Sequence, residues 1–222
     1  MTPPKNRRTP RLSSRKEPRQ ARSTQLVADI LEAAVRVLAR EGAHRFTTAR
    51  VAETAGISVG SLYQYFPNKE AILFRLQADE WRQTGGLLQA LLADRSMPPT
   101  GRLHAVVQAF FRSECEEASL RVALDDAAPL YRDAPETQAH RKAGRQRFLQ
   151  FMRDALPAAT PRERAVAADI VMMSMSAVGK QVSEEGRPPA EVDRLASAMG
   201  DMFAAYLDRM RERVQPAPKR AI

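Results

Sequence analysis

The apolar side chains of this sequence recur with the period of an α-helix almost from one end to the other. Between Thr24 and Glu41 the large apolar residues return every three or four positions, which places them on one side of a helix. Similar periodic stretches follow, each bounded by glycine, proline or a helix-capping residue. No run of alternating apolar and polar residues lies between hairpin turns, as a β-sheet would need. The sequence therefore predicts an all-α protein.

The first three predicted helices are separated by short stop signals. Gly42 is expected to end the first helix in the left-handed conformation that glycine adopts readily. Thr47 then caps a short helix that runs through Thr54, and Ser58 opens a second short helix that ends near Phe66. A long helix followed by two short ones is therefore expected at this end of the sequence.

The rest of the sequence is expected to form longer helices. Asn68 caps the next one, which Gly85 and Gly86 are expected to kink or end. A capping box of Thr160 and Glu163, with proline at the first helical position, predicts another helix start. With a connector at residues 94–101 and a break at residues 129–135, the further predicted helices cover residues 103–118, 136–156, 161–186 and 190–213.

Positive charge is concentrated at the start of the sequence. The formal net charge is +9 at pH 7, and residues 1–23 carry +7 of it, from eight basic side chains against Glu17. Four prolines interrupt this segment, and Leu12 is almost its only large apolar residue. It cannot bury enough surface to offset the entropy of ordering. We expect a disordered basic tail that either contacts nucleic-acid phosphates or acts as a solubilising extension. Its basic residues are Lys5, Arg7, Arg8, Arg11, Arg15, Lys16, Arg19 and Arg22.

The composition argues against several classes of protein. Hydrophobic residues make up 44% and charged residues 27%, which is typical of a globular protein. Cys115 is the single cysteine, so an intramolecular disulfide and a multi-cysteine metal cluster are excluded; it is expected to be a small buried hydrophobe. We expect no catalytic residues, no metal and no cofactor. The most apolar later stretch, residues 165–178, contains Asp169 and is too short to span a bilayer, so we expect a cytoplasmic protein with no membrane contact.

The two short helices define a candidate functional motif. A tight turn that contains Gly56 joins them, and the long helix that precedes them offers an apolar face for packing. Leu62 and Phe66 stand four apart on one face of the second short helix and are expected to pack on Val51, Ala55, Ile30 and Ala34. This arrangement is a helix-turn-helix, whose second helix enters the major groove of DNA.

The sequence from Phe46 to Leu73, FTTARVAETAGISVGSLYQYFPNKEAIL, resembles the DNA-binding domain of the TetR (tetracycline-repressor) family of bacterial transcriptional regulators. The resemblance extends over residues 25–76 and is strongest in the segments 55–58, 60–66 and 68–70. It implies a sequence-specific DNA-binding regulator, most simply a repressor that a small-molecule effector releases. An effector-independent or architectural nucleic-acid-binding protein is the alternative.

The resemblance also implies a division into domains. We expect the basic tail over residues 1–23, the helix-turn-helix DNA-binding domain over residues 24–76, a helical regulatory and dimerisation domain over residues 77–213, and a loose C-terminal tail over residues 214–222. A dimer with a two-fold axis would bind an inverted-repeat operator in double-stranded DNA.

The exposed face of the helix-turn-helix supplies the expected DNA contacts. The candidates for base edges are Val59, Gly60, Ser61 and Gln64; of these, Gln64 can pair with adenine through two hydrogen bonds. The residues expected to hold phosphates, by chemistry or by the family's pattern, are Thr47, Thr48, Ser58, Tyr63, Tyr65 and Lys69. Ala49 occupies a place where some family members carry a polar base-reading residue, so Arg50 beside it is the substitute candidate.

The second half of the sequence holds apolar stripes with two interpretations each. The last two long helices carry a candidate dimer surface: Ile170, Met172, Met173, Met175, Met199, Met202, Phe203 and Tyr206, with Ala177, Gly179 and Gly200 allowing close approach. A monomer core could use the same stripes. The candidate effector-binding residues are Trp81, Phe110, Phe111, Phe148 and Met152, which could equally be core residues.

A hydrolase is a further alternative because residues 56–60 fit the pattern G-x-S-x-G, and His104 and His140 follow. That nucleophile motif needs a β-strand before the serine, to build a strained turn. A helix is predicted there instead, which argues against this function.

Overall fold

The computed structural model describes residues 12–13, 21–116, 118–131 and 133–214. Within these residues the chain forms nine α-helices and one short 3₁₀ helix, and no β-strand, which confirms the predicted all-α class. The helices are α1 (Ala21–Arg45), α2 (Thr48–Thr54), α3 (Val59–Tyr65), α4 (Lys69–Ala93), α5 (Pro99–Glu116), α6 (Ala118–Ala127), α7 (Pro135–Ala155), α8 (Pro161–Glu184) and α9 (Pro189–Val214), with the 3₁₀ helix at Ala128–Leu130.

The helices form two compact units. The first contains the described residues up to Trp81 together with residues 119–138, and the second contains the described residues of 82–118 and those from 139 onward. The boundary between the DNA-binding and the regulatory domain, expected after residue 76, remains a prediction.

The first unit is built around the contact faces of α1, α2, α3, the start of α4, and α6. Its fully buried side chains include Phe46, Phe66, Ile30, Leu62 and Leu73. Burying a large apolar side chain contributes roughly 1.5–3 kcal/mol, so this core holds the two short helices in place although neither would be stable alone.

A buried polar cluster holds α6 to α4 in the first unit. The Arg121 guanidinium forms an ion pair with Glu80 at 2.7 Å, and the Gln77 amide donates to the same carboxylate at 3.0 Å. The Tyr131 hydroxyl donates to the Leu124 carbonyl at 3.1 Å, and burial, followed by the charge of Asp125, raises the pKa of Tyr131. Helix α6 was not predicted from the sequence.

The second unit contains α5, α7, α8, α9 and the later part of α4. Helix α5 packs chiefly against α9 and α8. The core of the second unit includes Phe111, Met152, Leu103 and Phe203, all nearly inaccessible to solvent. Arg102 is also buried here: it donates to the Leu92 carbonyl at 2.8 Å and lies over the Phe151 ring at 5.3 Å.

Most predicted helix boundaries agree with the structure. Gly42 has φ 73° and ψ 171°, which kinks α1 at the expected point, although helical hydrogen bonding resumes as far as Arg45. The capping box at Thr160 is complete, because Glu163 N donates to the Thr160 hydroxyl and Thr160 N donates to the Glu163 carboxylate. Gly186, with φ 61°, follows the end of α8.

Two expectations about the chain are wrong. Gly85 and Gly86 neither kink nor end α4, which continues to Ala93 because Leu88 and Leu92 pack into the second core and outweigh the low helix propensity of glycine. Leu12, expected in the disordered tail, is 7% exposed and belongs to the first core. The other tail residues up to Gln20, and residues 215–222, lie outside the described part of the chain, so the predictions of disorder and looseness fall outside it too.

Candidate nucleic-acid interface

One local cap fixes the start of each of the two short helices. The Thr47 hydroxyl accepts from the Arg50 N–H at 3.3 Å, and the Ser58 hydroxyl accepts from the Ser61 N–H at 3.0 Å. Both predicted N-caps are therefore confirmed. Between the helices Gly56 adopts φ 67°, a conformation that other residues rarely adopt, and this makes the tight turn possible.

The buried face of α3 is the one predicted from the sequence. Leu62 and Phe66 are at most 1% exposed and share one core with Val51, Ile30 and Ala34. Ala55 is partly buried against the same core. Because one face of α3 is committed to this core, its opposite face is free for a partner.

The exposed part of α3 consists of short side chains at the start of the helix and one amide further along it. Val59 is 37% exposed, and Ser58, Gly60 and Gln64 are exposed as well, whereas Ser61 is half-buried. The Ser61 hydroxyl forms a 2.8 Å hydrogen bond with that of Ser58. Each hydroxyl retains capacity for a further partner, since a serine oxygen has one donor and two acceptor positions.

A hydrogen bond between the two short helices positions the candidate phosphate contacts. The Thr48 and Tyr63 hydroxyls are 3.1 Å apart, and Tyr63 is 39% exposed. Thr47 is exposed at the start of α2. Tyr65 differs: it is 8% exposed and belongs to the core, so only a small part of its side chain is accessible to a phosphate.

Lys69 lies at the start of α4, where the Asn68 side chain caps the helix by accepting from the Ala71 N–H at 2.8 Å. Lys69 is half-buried. The Lys69 ammonium and the positive end of the α4 helix dipole therefore lie at the same place.

Arg50 is not free in this surface. Its Nη1 donates to the Glu41 carboxylate in an ion pair and to the Arg45 carbonyl at 3.0 Å. Glu41 was not singled out from the sequence, because it lies nine residues before Arg50 in a different helix and no local pattern joins the two.

The predicted effector-binding residues are divided between the two units. Phe111, Phe148 and Met152 are at most 5% exposed and belong to the second core together with the half-buried Phe110. Trp81 belongs to the first unit, where its ring lies edge-on to Phe74 at 6.4 Å. A cavity of about 230 Å³ in the second unit is lined by other residues: Asp154, Ala155, Leu156, Pro157, Ala158, Ala159, Met210 and Arg211.

The predicted dimer stripes divide into an exposed and a buried set. Ile170, Met173 and Met202 are 46–69% exposed, and Val166, which was not predicted, is 51% exposed. The buried members Met175, Met199 and Phe203 serve the core of their own unit instead.

The two glycines of the predicted dimer stripes also serve the second unit itself. An added Cβ at Gly179 would lie 2.7 Å from the Phe110 ring, and one at Gly200 would lie 2.4 Å from His104 Nδ1. Both distances are shorter than real Cβ contacts, so a side chain at either position would require the Phe110 or His104 ring to shift. Both glycines therefore allow close packing within one chain, and their predicted role between subunits stays a prediction.

The remaining chemical signals are weak. Cys115 is half-buried, and burial together with Glu114 and Glu116 raises the pKa of its thiol, which opposes thiolate chemistry. Helix α2 precedes Ser58 in place of the strand that a nucleophile turn needs. Across the described ranges, no cluster of three or more metal-ligating His, Cys, Asp or Glu residues occurs. None of the described helices is long and apolar enough to cross a membrane.

The first unit is thus a helix-turn-helix DNA-binding unit, and comparison with known proteins identifies its family. Residues 30–76 match the model of bacterial regulatory proteins of the tetR family, and residues 98–210 match that of the tetracyclin repressor-like C-terminal domain. The chain belongs to the TetR family of transcriptional regulators.

A curated relative shares the DNA-binding segment. The fatty acid metabolism regulator protein of Bacillus subtilis (strain 168) is 41% identical over 54 residues, which are 24% of this chain and 28% of that protein. The matched segment thus spans less than a third of that relative.

Solved structures share the fold over most of the chain. The fatty acid degradation regulator FadR from Bacillus halodurans has a TM-score of 0.62 at 16% identity, covering 84% of this chain and 96% of that one. FadR from Bacillus subtilis in complex with stearoyl-CoA also has a TM-score of 0.62, at 17% identity, covering 79% and 96%.

Proposed function

We propose that this regulator is a repressor that binds a palindromic operator as a homodimer and leaves it when a small, largely apolar effector binds. The observation that carries the DNA-binding part is the face of α3. Gly60 and Gln64 are exposed on the side of α3 opposite Leu62 and Phe66, which anchor the helix in the core, and Ser58, Val59 and Tyr63 are exposed beside them.

The proposed division of labour follows from side-chain chemistry. Val59, Gly60, Ser61 and Gln64 lie against base edges, and Gln64 makes the most discriminating contact. The hydroxyls of Thr47, Thr48, Ser58, Tyr63 and Tyr65, with the Lys69 ammonium, hold the backbone and set the register of α3 in the groove.

The exposed apolar stripe on α8 and α9 is the proposed dimer surface. Val166, Ile170 and Met173 follow one another at three- and four-residue spacing on α8, and Met202 is exposed on α9. Because a two-fold axis repeats every residue of the interface, Ile170→Lys or Met173→Lys would each place two charges in it. We expect a monomer by sedimentation and a loss of operator affinity, whereas Arg164→Glu, a charge change elsewhere on α8, serves as the matched control.

The proposed effector carries a large apolar group, and acyl-CoA thioesters, in which the acyl chain is apolar and the coenzyme A part is charged, are the first class to test. Support comes from the similar fold of the FadR structure that holds stearoyl-CoA. Linkage requires that such an effector and DNA weaken each other's binding by the same factor.

Selection of bound sequences from random DNA duplexes tests the function directly. Enrichment of an inverted repeat with half-sites about one helical turn, ~34 Å, or a multiple of it apart supports the proposal. Release of that duplex by stearoyl-CoA, but not by free coenzyme A, supports the effector class. If no palindrome is enriched, the proposed operator is wrong.

An effector-independent DNA-binding protein is the second candidate. The observation that favours it is the deep burial of Phe111 and Met152, which are packed as core residues. Operator binding that no member of an apolar metabolite panel alters would support this function. In either case we propose that the protein acts in the cytoplasm, where bacterial DNA lies.

A further inference from the structure

Glu41 lies between two arginines at the junction of α1 and α2. Its Oε2 accepts from Arg50 Nη1, and its Oε1 is 3.3 Å from Arg40 Nη2. The Arg50 guanidinium is held further by the Arg45 carbonyl at 3.0 Å. The Gly42 kink follows directly and allows the chain to turn so that Arg45 and Arg50 meet.

The pair between Glu41 and Arg50 is shielded from solvent chiefly on its carboxylate side. The Glu41 side chain is 17% exposed and that of Arg50 is 37% exposed, whereas Arg40 on the outside is 71% exposed. Charges that are shielded from solvent are screened less by salt. Glu41 therefore neutralises Arg50 more completely than Arg40.

Arg50 lies in the first turn of α2, beside Thr47 and Thr48, which are proposed phosphate contacts. An unpaired arginine at this place would bind any DNA backbone, because phosphate contacts carry no sequence information. A carboxylate at the same place removes that contribution and repels phosphate. Selectivity often depends on such an unfavourable element against the wrong partner.

We propose that Glu41 is a specificity-determining residue, which withholds Arg50 from non-operator DNA and so lowers sequence-independent affinity. This inference rests on the proposed DNA-binding function. It assigns Arg50 a different role from base reading: in the native chain its charge is balanced, and the selectivity of the protein depends on that balance.

The test is a double-mutant cycle of Glu41→Gln and Arg50→Ala, with binding to a random-sequence duplex measured over a series of KCl concentrations. Glu41→Gln is expected to tighten this binding roughly 3–10-fold and to steepen the salt slope by about 0.9, as for one added phosphate contact. Arg50→Ala is expected to abolish this gain in the Glu41→Gln background, yet to change native binding less than about twofold.

Glu53→Gln is the matched control, since it removes one negative charge from an exposed position of α2. General electrostatics would give both glutamine variants the same effect, and that result would overturn the proposal. A purely structural Glu41 would lower the unfolding midpoint of Glu41→Gln without steepening the slope, which would also overturn it.

Arg50→Ala in the native background provides an independent criterion that does not depend on the folding of Glu41→Gln. A loss of random-duplex binding of fivefold or more would show that Arg50 already contacts phosphates, and the inference would fail. The selected operator duplex is measured in parallel. If the native chain binds it while the cycle shows no coupling, the inference alone fails; if the native chain binds no duplex, the proposed function fails.

Discussion

The proposed DNA-binding face and the predicted effector residues differ in how their side chains are assembled. The face comes from one short segment, residues 47–69, in which Thr47, Ser58 and Asn68 each cap the helix that directly follows them. The effector candidates come from α4, α5 and α7, and three of them, Phe111, Phe148 and Met152, are buried by contacts that no local pattern specifies. A site that is fixed by local hydrogen bonds can be read from sequence, whereas one that is fixed by packing cannot.

The buried aromatic residues of the second unit are expected to stabilise its core and not to line a preformed pocket. Phe111 is fully buried, so Phe111→Ala should lower the free energy of unfolding by about 3–5 kcal/mol. Denaturant titration measures the loss. Leu87→Ala, at a position of the second unit that is 47% exposed and lies outside the proposed dimer surface, is the control and should change the free energy of unfolding little. An unchanged stability of Phe111→Ala, with an altered effector response, would assign Phe111 to a pocket.

The same comparison predicts that the local DNA-binding face still depends on its core. Leu62→Ala should cost about 2–5 kcal/mol of stability, because the side chain is completely buried beneath α3. Operator binding should fall with it. Val59→Ala on the exposed face of the same helix should leave the unfolding midpoint nearly unchanged. Equal effects of the two substitutions would contradict the assignment of the faces.

The first residues of the chain combine a local feature, the run of basic side chains, with a long-range one, the burial of Leu12 in the first core. A variant that starts at residue 12 loses four basic residues, so a shallower salt dependence of DNA binding is expected, by about 0.9 for each lost phosphate contact. A variant that starts at residue 14 also loses the buried Leu12 and should lose roughly 1.5–3 kcal/mol of stability. Equal stability of the two variants would show that Leu12 contributes nothing.

Within the DNA-binding face, base reading and phosphate holding should separate. Gln64→Ala is expected to relax base preference at one operator position by about 1–3 kcal/mol. Lys69→Ala should weaken all duplexes alike and lower the salt slope by about 1. Competition binding with single-base operator variants measures the first effect and a salt series the second. If both substitutions alter only overall affinity, the division of roles is wrong.

The capping box of α8 tests, outside the first unit, whether hydrogen bonds between neighbouring residues fix the start of a helix. Hydrogen bonds from the Thr160 N–H and hydroxyl hold the pKa of Glu163 below its ordinary value of 4.5. The resulting stabilisation is therefore present above pH 4.5 and is lost as the pH falls through the lower pKa of the folded state. Thr160→Ala should cost about 0.5–2 kcal/mol at neutral pH and flatten the pH dependence of the unfolding midpoint in this acidic range. A variant with the native pH profile would contradict this account.

Much of the fold was predictable because helix starts and stops are local. Thr47, Ser58, Asn68 and Thr160 cap their helices by hydrogen bonds to backbone groups within three residues. The glycines at 85 and 86 show the limit of such rules, since contacts made by other residues of α4 decide that the helix continues.

Sequence patterns were enough to predict the all-α class, the helix-turn-helix and the face of α3 that is not packed into the core, because periodicity and capping act over a few residues. Tertiary structure alone decided that Glu41 holds Arg50, that α6 joins the first unit through the Arg121 and Glu80 pair, and that Leu12 is buried. These contacts join residues from different segments of the chain. Their energies depend on burial and distance, which no local pattern specifies.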